Sequence, residues 1–211
     1  AVERPIGLTL DTDQAYEGYP LFAPKHYTMT YLMNNEGGIV NSWESNYEPG
    51  QSVHLQPNGN LLHTCFIKGA SSIGGGEGGR IEEYDWEGNL IWEFDYATDQ
   101  YAMHHDIETL PNGNILALVV ERKTEQECVA AGFRSESLRD KELFPDYVIE
   151  IEPIYPQGGK IVWEWHVWDH LIQDNDPTKD PIKVPNLTPD NDEFEANGGN
   201  IATAFWNHMN S

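Results

Sequence analysis

The sequence predicts an all-β fold made of β-propeller blades, because two short phrases recur along it. The first phrase is a tight turn followed by a Trp-rich strand, and it occurs at Gly38, Gly88 and Gly159. The second is a Pro-Asn-Gly-Asn turn that leads into an apolar strand, and it begins at Pro57 and Pro111. Each phrase returns after about 50 residues, a period that is typical of propeller blades when it is built from short strands and tight turns.

Each predicted strand follows from a turn signal beside a run of apolar residues. Asn58-Gly59 and Asn112-Gly113 are strong hairpin signals, since both central residues of a type I′ turn need positive φ. The predicted strands cover residues 27–33, 39–43, 54–55, 61–67, 80–84, 90–96, 106–110, 115–121, 147–151 and 160–167. Short helices are predicted at 125–131 and 135–143. The Gly-rich stretch 69–79 is predicted to be a loop rather than a phosphate-binding turn, because no Lys-Ser/Thr pair or helix follows it.

These strands are expected to form a partial β-propeller over residues 1–211. Its segments are a lead-in at 1–30, blade units at 31–67, 80–122 and 147–170, an insertion at 123–146 and an acidic, Pro-rich loop at 171–200. The count is about three blades plus the start of another. Because a propeller closes its ring to hide its sheet edges, we expect the remaining blades to come from a second chain or from a further part of the protein.

The composition excludes several classes of partner. The chain has 35 acidic and 12 basic residues, for a formal net charge of −23, whereas nucleic acids and anionic membranes require a positive surface. No apolar run reaches the roughly 18 residues of a membrane-spanning helix. The first residues, Ala1-Val2-Glu3, are compatible with the end of a mature chain after cleavage of a signal peptide, so we expect a periplasmic or secreted protein.

Two further features leave alternatives open. Cys65 and Cys128 are compatible with a disulfide or with two buried free thiols. The acidic residues of the 171–200 loop form clusters that could hold calcium, but they lack the Gly and the terminal Glu of an EF-hand loop. A solvated acidic loop is therefore favoured, and no resident metal ion or cofactor is predicted.

Two short motifs carry candidate chemistry. His104-His105-Asp106 precedes the second Pro-Asn-Gly-Asn turn. On a regular strand His104 and Asp106 share one face and His105 takes the other, unless a bulge intervenes. His208 and Asn210 are two residues apart, so on a strand they point the same way and offer two hydrogen-bond donors to one anionic group.

A third candidate lies in the aromatic segment 163–170. Its alternation puts Trp163 and Trp165 on one strand face, and His166 and His170 on the other. Such an aromatic stripe is typical of the core between blades. A metal held by the two histidines, four residues apart on a helix, is the less favoured alternative because the apolar residues 161–162 lead into a strand.

These motifs make the chain resemble the bacterial arylsulfate sulfotransferase family, with its arylsulfotransferase-like relatives. The phrases that carry the resemblance are, in chain order, Gly18-Tyr19-Pro20-Leu21-Phe22, His104-His105-Asp106-Ile107, Trp168-Asp169-His170-Leu171 and His208-Met209-Asn210-Ser211. The resemblance implies a six-bladed propeller with its active site on the central axis. It also implies an enzyme that moves a sulfuryl group from an aryl sulfate to a phenolic acceptor through a sulfated histidine, independently of the nucleotide donor PAPS.

The resemblance further implies roles for particular residues. His208 and Asn210 are expected to bind the sulfuryl group, and His170 to bind substrate. One of His104 and His105 is expected to be a second pocket histidine that protonates the leaving phenolate. The sulfated histidine lies outside this chain, so we expect the chain alone to be inactive. The alternatives are a non-catalytic propeller subunit for binding or assembly, and a His-rich metal or redox propeller.

Overall fold

The computed structural model describes residues 8–10, 12–69 and 78–170. Within these ranges the chain is mostly β-structure in antiparallel sheets, with a single α-helix. The all-β prediction is thereby confirmed. No helix in the described ranges is long and apolar enough to cross a membrane.

The first sheet has three strands in sequence order. They are β1 (Leu21–Phe22), β2 (Met29–Met33) and β3 (Ile39–Glu44). The β2–β3 hairpin closes through Gly37, whose φ of 79° belongs to the left-handed region that favours glycine.

The second sheet has four strands, also in sequence order. They are β4 (Glu48–Leu55), β5 (Leu61–Phe66), β6 (Gly79–Tyr84) and β7 (Leu90–Asp95). The Pro-Asn-Gly-Asn turn joins β4 to β5, and the Trp86-Glu87-Gly88-Asn89 turn joins β6 to β7. The amide of Gln56 donates to the carbonyl of Asn60 at 2.8 Å, so a hairpin forms where it was predicted. The type I′ geometry was wrong, because only Gly59 of the Asn58-Gly59 pair has positive φ.

The third sheet has the order β13-β12-β9-β8. Its strands are β8 (Tyr101–Thr109), β9 (Ile115–Glu121), β12 (Asp146–Pro153) and β13 (Gly159–His166). Between β9 and β12 the chain forms a small insertion. It contains β10 (Lys123–Thr124), α1 (Glu125–Ala131) and β11 (Glu142–Leu143), and β10 pairs with β11.

The insertion contains the helix predicted at 125–131. Thr124 caps it by accepting from the amide of Glu127, while the Glu127 side chain accepts from the amide of Thr124, and Gly132 ends it in the left-handed conformation. The helix predicted at 135–143 was wrong. Two short 3₁₀ turns and β11 occupy that stretch, since Asp140 and Lys141 both have positive φ, which an α-helix does not tolerate.

The three sheets stack in chain order. The interface between the first and second sheets is built on Leu32, Trp43, Leu61 and Tyr84. A larger core joins the second sheet to the third, and its members are Leu62, Ile81, Trp92, Phe94, Met103, Ile107, Ile115, Ala117, Val119, Tyr147, Ile149 and Ile151. The second sheet is therefore covered on both faces, with alternate side chains of β5 facing opposite neighbours.

At each sheet interface a tryptophan donates a hydrogen bond to the next hairpin turn. The indole N–H of Trp43 donates to the carbonyl of Asp85 in the next hairpin turn at 2.8 Å. The indole N–H of Trp92 donates to the carbonyl of Gly158 in the following hairpin turn, also at 2.8 Å. Each of these tryptophans precedes a Glu at the end of the recurring phrase, but Trp43 follows Gly38 by five residues and Trp92 follows Gly88 by four. Asp85 opens its hairpin turn and Gly158 closes its turn, so the two contacts are alike without being equivalent.

The sheets group the strands differently from the predicted units 31–67, 80–122 and 147–170. Each four-stranded sheet begins with the strand before a Pro-Asn-Gly-Asn turn and ends with a Trp-containing strand. The predicted units 80–122 and 147–170 instead began at β6 and β12, the third strand of each of these sheets in chain order. A period alone gives the length of a repeat, and only the hydrogen-bond partners of the strands show where one sheet ends.

Candidate functional site

The candidate site lies where β4 of the second sheet meets β8 of the third. Both strands are irregular: the pairing of β4 with β5 shifts between Pro49 and Val53, and that of β8 with β9 shifts between Met103 and Ile107. A bulge re-aims side chains that a regular strand would alternate. The two bulges therefore gather polar side chains at the junction between the two sheets.

The β8 bulge brings both histidines of the His104-His105-Asp106 motif together. His105 has a φ of 54°, which breaks the alternation of the strand. The two imidazole rings meet edge to face at 4.8 Å, with the Nδ1 atoms 2.5 Å apart. The sequence predicts opposite faces for the two histidines only on a regular strand. Because β8 is bulged at this point, the two rings come together instead.

Asp146 at the start of β12 completes a hydrogen-bonded chain. Its Oδ1 lies 3.1 Å from His104 Nε2, and both side chains are buried at 8% exposure. Since the carboxylate accepts, Nε2 of His104 carries a hydrogen, and in the neutral ring Nδ1 is left to accept from Nδ1–H of His105. The chain of bonds thus leaves a lone pair on Nε2 of His105.

The two histidines differ in their access to solvent. His104 is buried, whereas His105 is half-buried. Burial, followed by the neighbouring His104, lowers the pKa of His105 below its ordinary value. The neutral form of His105 is therefore favoured near neutral pH, and its half-buried ring is the one available to a ligand.

Gly78 lies directly against the backbone of this pair. A Cβ on Gly78 would lie 2.5 Å from the carbonyl oxygen of Met103 and 3.2 Å from Cα of His104. Only a residue without a side chain permits that contact with the backbone of β8. The Gly-rich stretch thus ends against the histidine bulge, while residues 70–77 lie outside the described part of the chain.

The β4 bulge adds a second group of polar side chains. Ser52 Oγ donates to Asp106 Oδ1 at 2.6 Å and lies 2.8 Å from His54 Nε2. Since Ser52 gives its hydrogen to the carboxylate, its oxygen accepts from Nε2–H of His54. These contacts link the two bulged strands and fix Asp106 at the rim, where its side chain is 69% exposed.

The other predicted site residues do not join this group in the described structure. His170 stacks on Trp165, with ring centroids 4.8 Å apart, and His166 stacks on Tyr147 and lies 3.2 Å from Glu121 Oε1. The alternation predicted through His170 is wrong beyond His166, because the strand ends there and residues 167–170 form a 3₁₀ turn. His208 and Asn210 lie outside the described residues.

The aromatic segment is exposed in the described structure. Trp163 is 48% exposed and Trp165 is 38% exposed. Trp163 corresponds in the recurring phrase to Trp43 and Trp92, which are 2% and 0% exposed. Within residues 8–10, 12–69 and 78–170, no further sheet covers this face of β13.

A second polar cluster, which the sequence interpretation missed, is buried between the first two sheets. We call it the Glu82 cluster, and its members are Ser45, His63, Cys65, Arg80, Glu82 and Tyr84. Strand pairing places His63 opposite Glu82 and Cys65 opposite Arg80. The available signal was a pair of polar residues two positions apart in each of two neighbouring strands, His63 with Cys65 and Arg80 with Glu82.

Charges in the Glu82 cluster are strongly coupled. Burial by itself raises the pKa of Glu82, but hydrogen bonds from His63, Ser45 and Arg80 outweigh it and hold the pKa well below its ordinary value. Burial likewise lowers the pKa of Arg80, and its carboxylate partners reverse that effect and raise it. Burial raises the pKa of the Cys65 thiol, with Glu82 adding to the rise.

Both cysteines are free and buried. The alternative of two buried free thiols is therefore confirmed over the disulfide. Burial raises the pKa of Cys128 to about 11. Cys128 lies in α1, away from the Glu82 cluster, so its surroundings differ from those of Cys65.

Comparison with known proteins finds one family. The model of the family described as arylsulfotransferase (ASST) matches residues 16–211. No curated protein and no solved structure matches the chain. The match includes all three sheets and both histidines of the β8 bulge.

Proposed function

This chain belongs to the arylsulfotransferase (ASST) family, and we propose that His105 is the proton-transferring residue of its aryl-sulfate site. The family supports an aryl sulfotransferase-like function, with aryl sulfates and phenols as substrates. The observation that carries the proposal is the Asp146–His104–His105 hydrogen-bond chain, which leaves Nε2 of His105 with a lone pair.

The reaction needs a group that handles one proton. The S–O bond to the donor phenol breaks, and an S–O bond to the acceptor phenol forms. The leaving phenolate takes up a proton, and the acceptor phenol loses one, so the overall transfer is balanced without a cofactor. A histidine whose pKa lies near the working pH can perform both steps in turn.

His105 suits this role better than His104. Both nitrogens of His104 are engaged, Nε2 with Asp146 and Nδ1 with His105. In the proposal, Nε2 of His105 takes the proton of the acceptor phenol, and the protonated ring returns it to a leaving phenolate. His104 is a positioning residue, because it sets the tautomer of His105 without touching substrate.

The sulfuryl group itself is handled by other residues in this proposal. We propose that it passes through a sulfated histidine outside this chain, as the resemblance implies, and that His208 and Asn210 hold its oxygens. Amide and imidazole N–H groups aimed at those oxygens stabilise the charge that develops there during transfer. The Asp106 carboxylate at the rim repels the negatively charged sulfate ester. The affinity for an aryl sulfate therefore depends on the positive charge that His105 gains when it is protonated.

We further propose that the stacked sheets are blades of a propeller. Two observations support this. The sheets follow one another in chain order, and at both interfaces an indole N–H, of Trp43 or of Trp92, bonds a carbonyl in the next hairpin turn. The same rule assigns Trp163 to an interface with a further sheet, whose hairpin turn would accept its indole N–H. The first strands β4 and β8 would then line the axis, where propeller sites are found.

Calorimetric titration with 4-nitrophenyl sulfate tests the functional proposal. We expect binding that strengthens as the pH falls through the lowered pKa of His105, because the protonated ring attracts the sulfate ester. His105→Gln should weaken binding about tenfold or more below that pKa, as expected for loss of a charged hydrogen bond of about 1.5–3 kcal/mol.

His26→Gln is the matched control. His26 also neighbours a carboxylate, with Glu48 Oε2 3.1 Å away, but it lies on the exposed surface before β2. It should leave the affinity unchanged at every pH. Equal affinities for His105→Gln and the unaltered chain at low pH would refute a role for His105.

A further inference from the structure

The Glu82 cluster presents three different metal-ligating atoms to one point. They are His63 Nε2, Cys65 Sγ and Glu82 Oε2, and all three residues are buried. Imidazole nitrogen, thiolate sulfur and carboxylate oxygen are the three ligand types that Zn²⁺ takes in proteins. Among the described residues this is the one group of His, Cys and acidic side chains with such spacing.

The separations between these atoms match the edges of a zinc tetrahedron. Zn–S of about 2.3 Å, Zn–N of about 2.0–2.1 Å and Zn–O of about 2.0–2.2 Å imply edges of about 3.3–3.6 Å. The distance from His63 Nε2 to Glu82 Oε2 is 3.3 Å. Cys65 Sγ lies 3.5 Å from His63 Nε2 and 3.3 Å from Glu82 Oε2.

A second observation is the crowding around one carboxylate oxygen. Glu82 Oε2 has Ser45 Oγ at 2.7 Å and Tyr84 Oη at 3.0 Å, besides the two atoms already given. A carboxylate has about four lone-pair sites in all, or about two on each oxygen. Four hydrogen bonds on Oε2 exceed that number. An ion at the centre of the three ligating atoms replaces the bonds to His63 and Cys65 by a single bond and lowers the number of contacts on Oε2 to three.

The charges also balance around such an ion. A zinc ion, a thiolate and a carboxylate sum to zero. Because Zn²⁺ enters and one thiol proton leaves, the interior gains one positive charge, and the two outer carboxylates beside Arg80, Glu93 and Asp95, offset it. Arg80 then keeps its bond to Glu82 Oε1 at 2.8 Å and its two outer carboxylates, Glu93 and Asp95. The outer nitrogen of His63, Nδ1, has no partner among the described residues. This is so with or without an ion, so this atom is evidence neither for nor against a metal.

We propose that His63, Cys65 and Glu82 bind one structural Zn²⁺ ion between the first and second sheets. Ser45 directly follows β3, and its Oγ lies 3.9 Å from Cys65 Sγ. Either this oxygen or a water molecule takes the fourth position on the ion. The Cys65 thiol releases its proton to solvent as the Zn–S bond forms. His63 and Cys65 lie on β5 and Glu82 lies on β6, so the ion braces two neighbouring strands of the second sheet. The side chains of His63 and Glu82 are only 4% and 2% exposed, so the ion has no open face for a substrate.

Metal uptake by the purified chain tests this proposal. After equilibration with Zn²⁺ and removal of the free metal, elemental analysis should give about one zinc per chain. Cys65→Ser should reduce this content severalfold. Cys128→Ser is the matched control, because it removes the other buried free thiol, and it should retain the full content.

Cobalt substitution identifies the ligands. Co²⁺ in the unaltered chain and in Cys128→Ser should give a thiolate-to-cobalt charge-transfer band in the near ultraviolet, and Cys65→Ser should lack it. Glu82→Gln should keep the band but bind more weakly. Less than a tenth of a zinc per unaltered chain, or a band that survives in Cys65→Ser, would overturn the proposal without requiring that any variant fold.

Discussion

Replacing Arg80 with Gln should cost about 3–5 kcal/mol of unfolding free energy. The guanidinium lies in the interior of the second sheet at 6% exposure. Its Nε donates to Glu82 Oε1 at 2.8 Å, its Nη1 donates to Asp95 Oδ1 at 2.7 Å, and its Nη2 bonds Glu93. The variant removes all three bonds at once.

The size of the effect follows from the burial of the three carboxylates. Asp95 is 57% exposed and Glu93 is 25% exposed, so solvent compensates for much of the loss of Arg80 there. The Glu82 side chain is 2% exposed and loses its guanidinium partner in metal-free protein, while the contacts with His63, Ser45 and Tyr84 remain. Leaving one member of a buried ion pair uncompensated costs about 3–5 kcal/mol, a large part of the roughly 5–15 kcal/mol that holds a protein folded.

Urea unfolding followed by tryptophan fluorescence measures this cost by linear extrapolation. The titrations are made with excess chelator, so that zinc does not neutralise Glu82. Adding Glu82→Gln to Arg80→Gln should recover part of the lost stability, because the stranded charge disappears. Lys141→Gln, which removes a cation from an exposed pair with Glu125, serves as the control and should change stability little.

The single and double substitutions test whether Arg80 and Glu82 are energetically coupled. If Arg80→Gln loses less than about 1 kcal/mol, Glu82 is not an uncompensated buried charge. If the second substitution deepens the loss by its full separate effect, the two side chains are energetically independent. Either result would refute the account of the Glu82 cluster as a coupled buried network.

Three further predictions concern the candidate site. Asp146→Ala leaves His104 Nε2–H buried without its acceptor and should lower the unfolding free energy by about 1–3 kcal/mol; an unchanged urea midpoint would contradict that bond. Gly78→Ala puts a Cβ 2.5 Å from a backbone carbonyl of β8 and should shift the imidazole NMR signals of His104, whereas Gly18→Ala, where a Cβ meets only ordinary contacts at 3.5 Å, should not. His105 has a lowered pKa, so the folded chain binds its proton less readily than the unfolded chain does. Its stabilising contribution is complete above the ordinary pKa of about 6.5 and is lost as the pH falls through the lowered value. The urea midpoint should therefore fall less over that window in His105→Gln, and parallel pH curves would count against the shift.

Local signals in the sequence were enough to predict most strands. Residues 115–121 and 90–96 were predicted because an Asn-Gly or Gly-Asn turn precedes an apolar run, and β9 and β7 confirm them. The first half of β4 was missed, because Pro49 and Gly50 are poor strand formers. Pairing with Cys65 across the sheet overrides that local preference.

The candidate site was predictable only in its residue types. The His104-His105 pair was identified from its motif, but its geometry depends on a bulge that the alternation rule does not contain. Asp146 is 42 residues away from His104 in sequence, and only the pairing of β12 with β9 brings it close. The Glu82 cluster needs the register of β5 on β6 in the same way, so no local pattern could assemble it.

An NMR titration of the histidine side chains with 4-nitrophenyl sulfate is the direct test of an aryl-sulfate site at the β8 bulge. Assignments come from single His→Gln variants, and each imidazole is followed over pH with and without the ester. We expect the pKa of His105 to rise when the ester is added, because a bound anion favours the protonated ring, while the ester leaves the imidazole signals of His26 unchanged. A His105 titration that is unaffected by saturating ester, or a larger shift at His26, would contradict an aryl-sulfate site at the β8 bulge.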